Sequence, residues 1–370
     1  LSICGAGFPA CSALAVIGAG AVLAQKVLVQ QLLLHRAAVR LEHQGVDIRV
    51  VGIANSRHFL TDAAGIDLES YHDRLHSQDL PPFSLERAAK LTHDSHLVNP
   101  ILVDCTSDDR LALTYCDLMK AGMHVVTPSK KANTGSYAYY QKLRHTARRY
   151  HRKFMYEANV GAGLPVISTL QNEQSAGDRL IEFSGIMSGT LSYIFGLVED
   201  GATLSEATAK AYELGYTEPN PADDLEGTDV ARKLLILARE CGMRLELSDV
   251  KVECAVDKKY LQGSDADEVL EGLKRADREF SEKVQKAKAQ GKVLRYIASI
   301  KNGVCRCGVT AVGPSDPLFK VRGGENALAF TTAYYQPIPL VVRGYGAGKE
   351  VTAAGVLSDI LRLQNWTREG

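Results

Sequence analysis

The sequence predicts an α/β protein: a Rossmann-type, doubly wound parallel sheet followed by a second α+β domain. Three observations carry that expectation. Short apolar runs alternate with helical stretches from Ala13 to about Glu157, which is the pattern of a parallel sheet buried on both faces. The first run ends in Gly18-Ala19-Gly20, a tight turn of the kind that joins strand to helix in dinucleotide-binding units. Past Asn159 the alternation stops, and 370 residues are too many for one small core.

Taken in order, Ala13-Leu14-Ala15-Val16-Ile17 is the first strand and an apolar-periodic helix runs from the glycine turn to about His35. In Gly18-Ala19-Gly20-Ala21-Val22-Leu23 the first glycine suits the tight turn and the second lets backbone approach a pyrophosphate. Leu23 stands where Gly or Ala is usual. An earlier candidate, Gly5-Ala6-Gly7-Phe8-Pro9-Ala10, fits the letters better, but Pro9 and Cys11-Ser12 break the helix that should follow. Asp47–Ala54 reads as the second strand and ends in Asn55-Ser56-Arg57, with no carboxylate for a ribose 2′-hydroxyl. Arg57 could meet a 2′-phosphate, which favours NADP over NAD; a solvated loop residue is the plain alternative. Ile101–Cys105 and His124–Thr127 are further buried strands. Glu182–Ile186 and Val293–Ile300 read as strands of a second sheet, with a helix from Pro221 and a charged helix near 265–290 between them. Thr352 is an N-cap candidate for a helix over about 353–363 that could return to the first domain. These elements place a nucleotide-binding domain at 1–157, a second α+β domain at 158–339, and a returning segment at 340–370.

Composition narrows the function classes. Lys+Arg and Asp+Glu are both 43, so no basic footprint for nucleic acid exists. The apolar N-terminal stretch lacks a basic n-region, which argues against a signal peptide, and its glycine breaks argue against a membrane span. Eight scattered cysteines without a CxxC pair suggest reduced thiols in a cytoplasmic compartment. All ten histidines lie at or before His151. Proton transfer in the second half must therefore use Lys, Asp, Glu, Tyr or Cys.

One segment concentrates charge. Gly215–Lys233 holds five carboxylates and ends in a lysine. Asn220 is a good N-cap, Pro221 suits the first helical position, and Asp223 stands in the positive first turn. A helix from there, running on into Leu234–Ala238, puts Asp229 and Lys233 one turn apart. As a surface ion pair they would contribute about 0.3–0.5 kcal/mol; a pocket for a charged substrate is the competing reading. Without context, Lys130-Lys131 is a solvated basic pair and Gly161-Ala162-Gly163 a tight turn.

The same segment, GYTEPNPADDLEGTDVARK, resembles the homoserine dehydrogenase signature. So do VVTPSKKAN (125–133), NVGAGLP (159–165), SGTLSY (188–193) and RGYGAG (343–348). The resemblance spans about residues 13–366 and is nearest to the C-terminal half of bifunctional aspartokinase–homoserine dehydrogenase. It implies NAD(P)H-dependent reduction of aspartate 4-semialdehyde to homoserine, on the route to threonine and methionine. It makes Lys233 the proton donor with Asp229 beside it, and Lys130 the residue that binds substrate and stabilises the oxyanion. Glu218 corresponds to the residue that holds the substrate ammonium, while Thr190, Tyr216 and Asp224 line the pocket. Gly18, Ala19, Gly20, Ala21, Val22, Asn55, Arg57, Thr106, Ser107, Lys130, Gly215 and Glu350 correspond to cofactor contacts. Glu157, Val160, Ala162 and Leu164 match a monovalent-cation site for sodium. A homodimer in the cytoplasm, or in a plastid if the source is a plant, is the expected setting. Leu23, Ser129 (usually Asn) and residues 1–12 depart from the pattern. Two other readings are aspartate-semialdehyde dehydrogenase, which needs an activated cysteine, and a catalytically silent NADP-binding module.

Overall fold

The computed structural model describes residues 10–17, 46–76, 79–94, 97 and 99–369, with side chains described only between 48 and 363. Both glycine motifs, Gly18 to Leu23 included and Ala10 at the end of the other excepted, and the helix expected up to His35 lie outside the described residues. The chain forms two units, one from residues 1–163 with 349–370 and the other from 164–348.

Among the described residues the first unit is built on six strands: β1 (Ala10–Ile17), β2 (Val46–Ala54), β3 (Phe59–Thr61), β4 (Ile101–Asp104), β5 (His124–Val126) and β6 (Phe154–Met155), in the order β3-β2-β1-β4-β5-β6. All neighbours are parallel except β3, which returns antiparallel along β2. Only residues 55–58 join those two strands, too few for a crossover, so antiparallel pairing is the geometry open to them. Side chains alternate between two cores. Ile48, Val50, Ile101, Val103 and Val126 pack with Ala353, Val356, Ile360 and Leu363 of the last helix, Lys349–Glu369. Leu102 and Val125 pack with Tyr115, Leu118, Met119 and Leu143 of the helices Tyr115–Lys120 and Tyr137–Arg149.

The second unit holds β7 (Leu180–Ile186), β8 (Lys251–Val252), β9 (Val293–Lys301), β10 (Val304–Val312), β11 (Glu325–Thr332) and β12 (Leu340–Tyr345), in the order β12-β11-β7-β9-β10-β8. All pairs are antiparallel except β10 with β8. β9 and β10 form a hairpin through Asn302-Gly303, both at positive φ (49° and 75°), the residue pair that a tight hairpin turn favours.

Three expectations need correction. The single helix from Pro221 is two, Pro221–Leu225 and Thr228–Glu240, separated at Gly227 with φ 74°. Tyr296 of β9 occupies the space beside that glycine: a Cβ there would lie 1.9 Å from the tyrosine hydroxyl oxygen. Residues 340–345 belong to the second sheet because β12 pairs with β11, so the chain leaves the second unit only after Gly348. Thr352 is inside the last helix, not its cap; Gly348, at φ 119°, makes the turn into it.

Candidate active site

In the second unit Lys233 is positioned by the helix that begins after the Gly227 break. Its Nζ lies 2.9 Å from Asp229 Oδ2, one turn earlier, and donates to the Met187 carbonyl at 2.7 Å. Met187 directly follows β7, and Ser188 caps the helix Gly189–Asp200 by accepting from the Leu191 N–H. The lysine side chain keeps 13% of its exposure against 51% for Asp229. A largely buried ammonium needs acceptors for its three N–H groups, and two are accounted for here.

Beside this pair Glu218, Asp223, Asp224, Glu226 and Asp229, with Ser188, Thr228 and Arg232, wall a cavity of about 500 Å³. Lys233 reaches it through Asp229. Asn220 caps the short helix by accepting from the Ala222 N–H at 3.0 Å, which aims Asp223 and Asp224 from the first turn. Asp224 accepts the Glu218 N–H at 2.8 Å. Burial pushes its carboxyl up to about 6, and the Glu218 and Asp223 charges add to the rise. Thr190 donates to the Tyr216 carbonyl at 2.5 Å, and the Tyr216 ring stands edge-on to Tyr193 at 5.0 Å. Gly215, at φ 69°, ends the helix Leu204–Glu213: its N–H bonds the Tyr212 carbonyl and the Tyr216 N–H bonds the Ala211 carbonyl. A chain of hydrogen bonds, packing and cavity wall therefore joins Gly215, Tyr216, Thr190, Asp224, Glu218, Asp229 and Lys233. A larger concavity of about 700 Å³ in this unit, walled by Val252–Lys258 and the helix Ala266–Lys288, contains none of the expected residues.

In the first unit the carboxyl ends of β4 and β5 are laced together. Thr127 donates to the Asp104 carbonyl at 2.7 Å, the Asn159 amide donates to the Thr127 carbonyl at 2.9 Å, and Asn133 donates to Asn159 at 2.9 Å. Asp104 is fully buried, accepts from Tyr115 and from the Thr106 N–H, and burial raises its carboxyl pKa. This lattice fixes two loops. One carries buried Thr106 and exposed Ser107; the other carries Ser129, whose N–H bonds Thr127, and Lys130 at the head of the helix Lys131–Thr134. Lys131 pairs with Asp109 at 2.9 Å. After β2, Asn55 accepts from the Arg57 and His58 N–H groups, both at 2.8 Å, and Arg57 is exposed with no side-chain partner among the described residues. Glu350 stands in the first turn of the last helix.

At the expected cation site, Glu157 is 5% exposed and its Oε2 lies 3.2 Å from Arg362 of the last helix. Its N–H bonds Asp359, whose carboxyl burial pushes up to about 7. Gly161 and Ala162 both take positive φ, 78° and 52°. The Leu164 carbonyl accepts from the Val166 N–H at 2.8 Å; Leu164 begins the second unit. Among the described residues no group of three His, Cys, Asp or Glu could hold a metal ion, so the acids of 218–229 are not such a set. No helix among them is long and apolar enough to cross a membrane.

Met187, Ser188, Asp104, Thr127 and Asn159 were not singled out from the sequence. Ser188, Thr127 and Asn159 are short polar residues inside the family-like motifs, whereas Met187 contributes only a backbone carbonyl, which no side-chain pattern marks.

A family model described as the NAD-binding domain of homoserine dehydrogenase matches residues 18–157, and one described as homoserine dehydrogenase matches 165–361. A bifunctional aspartokinase/homoserine dehydrogenase of Haemophilus influenzae is 51% identical over 348 residues, covering 94% of this chain and 42% of that protein. The chain spans about two fifths of the length of the curated relatives it matches first. Among solved structures, a Candida auris protein of unknown function superposes with TM-score 0.87 at 30% identity, covering 96% of this chain and 98% of that one. A hyperthermophilic archaeal homoserine dehydrogenase mutant in complex with NADPH shares the fold, with TM-score 0.71 at 20% identity over 96% of this chain and 98% of that one.

Proposed function

Because the chain belongs to the homoserine dehydrogenase family, we propose that it reduces L-aspartate 4-semialdehyde to L-homoserine with NADPH. The observation that carries this reading is Lys233, held by Asp229 and a strand-end carbonyl beside an acidic cavity. A substrate with an α-ammonium, an α-carboxylate and an aldehyde needs groups of both signs. Glu218 and Asp224 take the ammonium; Lys130 offsets the negative charge that grows on the aldehyde oxygen. NADPH, when bound, would supply a hydride for the aldehyde carbon; Lys233 is placed to give its proton to the oxygen, which would complete the alcohol. Asp229 orients the Lys233 ammonium and re-pairs with it when it recovers a proton.

The first unit takes the nucleotide-binding role. Arg57, exposed where a carboxylate would select NAD, suits a 2′-phosphate and favours NADP. The oxygen donors Glu157, Val160, Ala162 and Leu164 suit a hard monovalent cation, sodium, in competition with the Arg362 guanidinium for Glu157. The second unit carries the dimer contact, since Ile338, Tyr334 and Tyr345 expose large apolar surfaces there. Six free cysteines among the described residues support a cytoplasmic or plastid compartment.

NADPH oxidation with aspartate semialdehyde tests the reading, with homoserine as the expected product. Phosphate-dependent reduction of NADP would instead reveal a semialdehyde dehydrogenase, and cofactor binding without turnover a silent module.

A further inference from the structure

A third concave site lies in the first unit at the amino ends of β5 and β6, the opposite end of the sheet from Thr106 and Lys130. Its walls come from the end of the helix Tyr137–Arg149 and from residues 151–156, and they enclose about 370 Å³. Arg144, Arg148, His151, Arg152 and Lys153 line it, and among the described residues no carboxylate does. That concentration is notable in a chain whose net charge is zero.

Arg144 and the backbone that carries His151 are held in place. The Arg144 guanidinium lies 3.6 Å over the Tyr140 ring and donates to the Tyr156 hydroxyl at 2.8 Å. Arg152 Nε is buried and has no hydrogen-bond partner among the described residues, a state that buried donors rarely keep without a ligand or water. His151 sits at φ 50° where the helix ends, with the Arg152 N–H returning to the Ala147 carbonyl at 2.9 Å. Glycine or asparagine usually fills that position; here it places an imidazole in the wall. His124, the first residue of β5, accepts the Lys153 N–H at 2.9 Å. Burial, then the charges of Arg152 and Lys153, push its pKa down to about 4.

We infer that this cavity binds a small, multiply charged phosphate, a polyphosphate or phosphate ester, apart from the nicotinamide cofactor. Arginine forks match phosphate oxygens in pairs. The volume fits a small molecule, whereas a nucleic acid would need a basic stripe extending over the surface.

Calorimetric titration of the whole chain with pyrophosphate under saturating NADP tests this, because the cofactor then occupies its own phosphate contacts. One pyrophosphate per chain is expected. Arg148→Gln and Arg152→Gln should each weaken it by about tenfold, the loss of one charge-assisted contact, with NADP affinity unchanged as the check on folding. Arg148 is exposed, so its variant decides the matter if Arg152→Gln does not fold. Arg278→Gln, an equal charge change on the exposed face of the helix Ala266–Lys288, should leave binding intact. Orthophosphate should compete more weakly than pyrophosphate. The inference is overturned by absence of binding under saturating NADP, by equal weakening in Arg278→Gln, or by retention of only a macromolecular polyanion such as heparin.

Discussion

At the scale of single residues, three side chains carry separable tests. Lys233→Ala should cut turnover by ~10²–10⁴ while NADPH binding stays nearly constant, since the ammonium acts on the substrate oxygen. Retention of more than about a tenth of wild-type turnover would return Lys233 to the role of ion-pair partner. Asp224 predicts a pH effect. Its folded pKa, about 6, lies above the unfolded 3.8, so between those values the folded state binds more protons and stability falls as pH rises. The same ionisation creates the anion that holds the substrate ammonium. The kcat/KM profile should therefore climb through a pKa near 6, and Asp224→Asn should flatten that limb while gaining thermal stability at neutral pH; a limb unchanged in the variant would remove Asp224 from the pocket. Arg57→Ala should weaken NADP by ~10–100-fold, the worth of one charge-assisted contact, and leave NAD alone; an unchanged ratio of dissociation constants would end the assignment. The pairing of Asp229 with Lys233 was legible in the sequence because charge at an i,i+4 spacing is a local signal. Their supports were not: the Met187 carbonyl comes from a residue 46 positions away, and no spacing rule links a lysine to a backbone oxygen at the end of a distant strand.

At the scale of elements, the helix break at Gly227 is where local reasoning and the fold part company. Asn220 and Pro221 announce a helix correctly, and the apolar run to Ala238 reads as its continuation, but Gly227 alone does not reveal Tyr296 pressing on it. That contact is tertiary. Gly227→Ala should cost about 1–3 kcal/mol, from left-handed backbone and displaced tyrosine, measurable by denaturant unfolding. It should also lower activity, because the break sets the register of Asp229 and Lys233; a variant with wild-type stability would show that the tyrosine yields freely. In the first sheet β1, β2, β4 and β5 were legible as apolar runs, for burial on both faces leaves a continuous signal, whereas β3 and β6, three and two residues long, were not. Within the second sheet, β10 to β12 were not, although Asn302-Gly303 is a recognised hairpin turn and marked the junction of β9 and β10.

At the scale of the whole molecule, the first unit is discontinuous. Ala353, Val356, Ile360 and Leu363 fill the same core as Ile48, Val50 and Val103, so removal of residues 349–370 should expose that face and abolish NADPH binding. The second unit, residues 164–348, keeps its own sheet and should retain strand signal in circular dichroism of the truncated chain. Full NADPH affinity after truncation would make the last helix an accessory. The same arrangement sets an order of events on the ribosome. The nucleotide-binding half is translated first yet cannot close its core until the 349–369 helix has emerged, while the second unit has all its residues beforehand. Nascent chains stalled before residue 349 should therefore hold a protease-resistant second unit joined to a protease-sensitive first one, and the interval of exposure would lengthen wherever translation slows across that final segment.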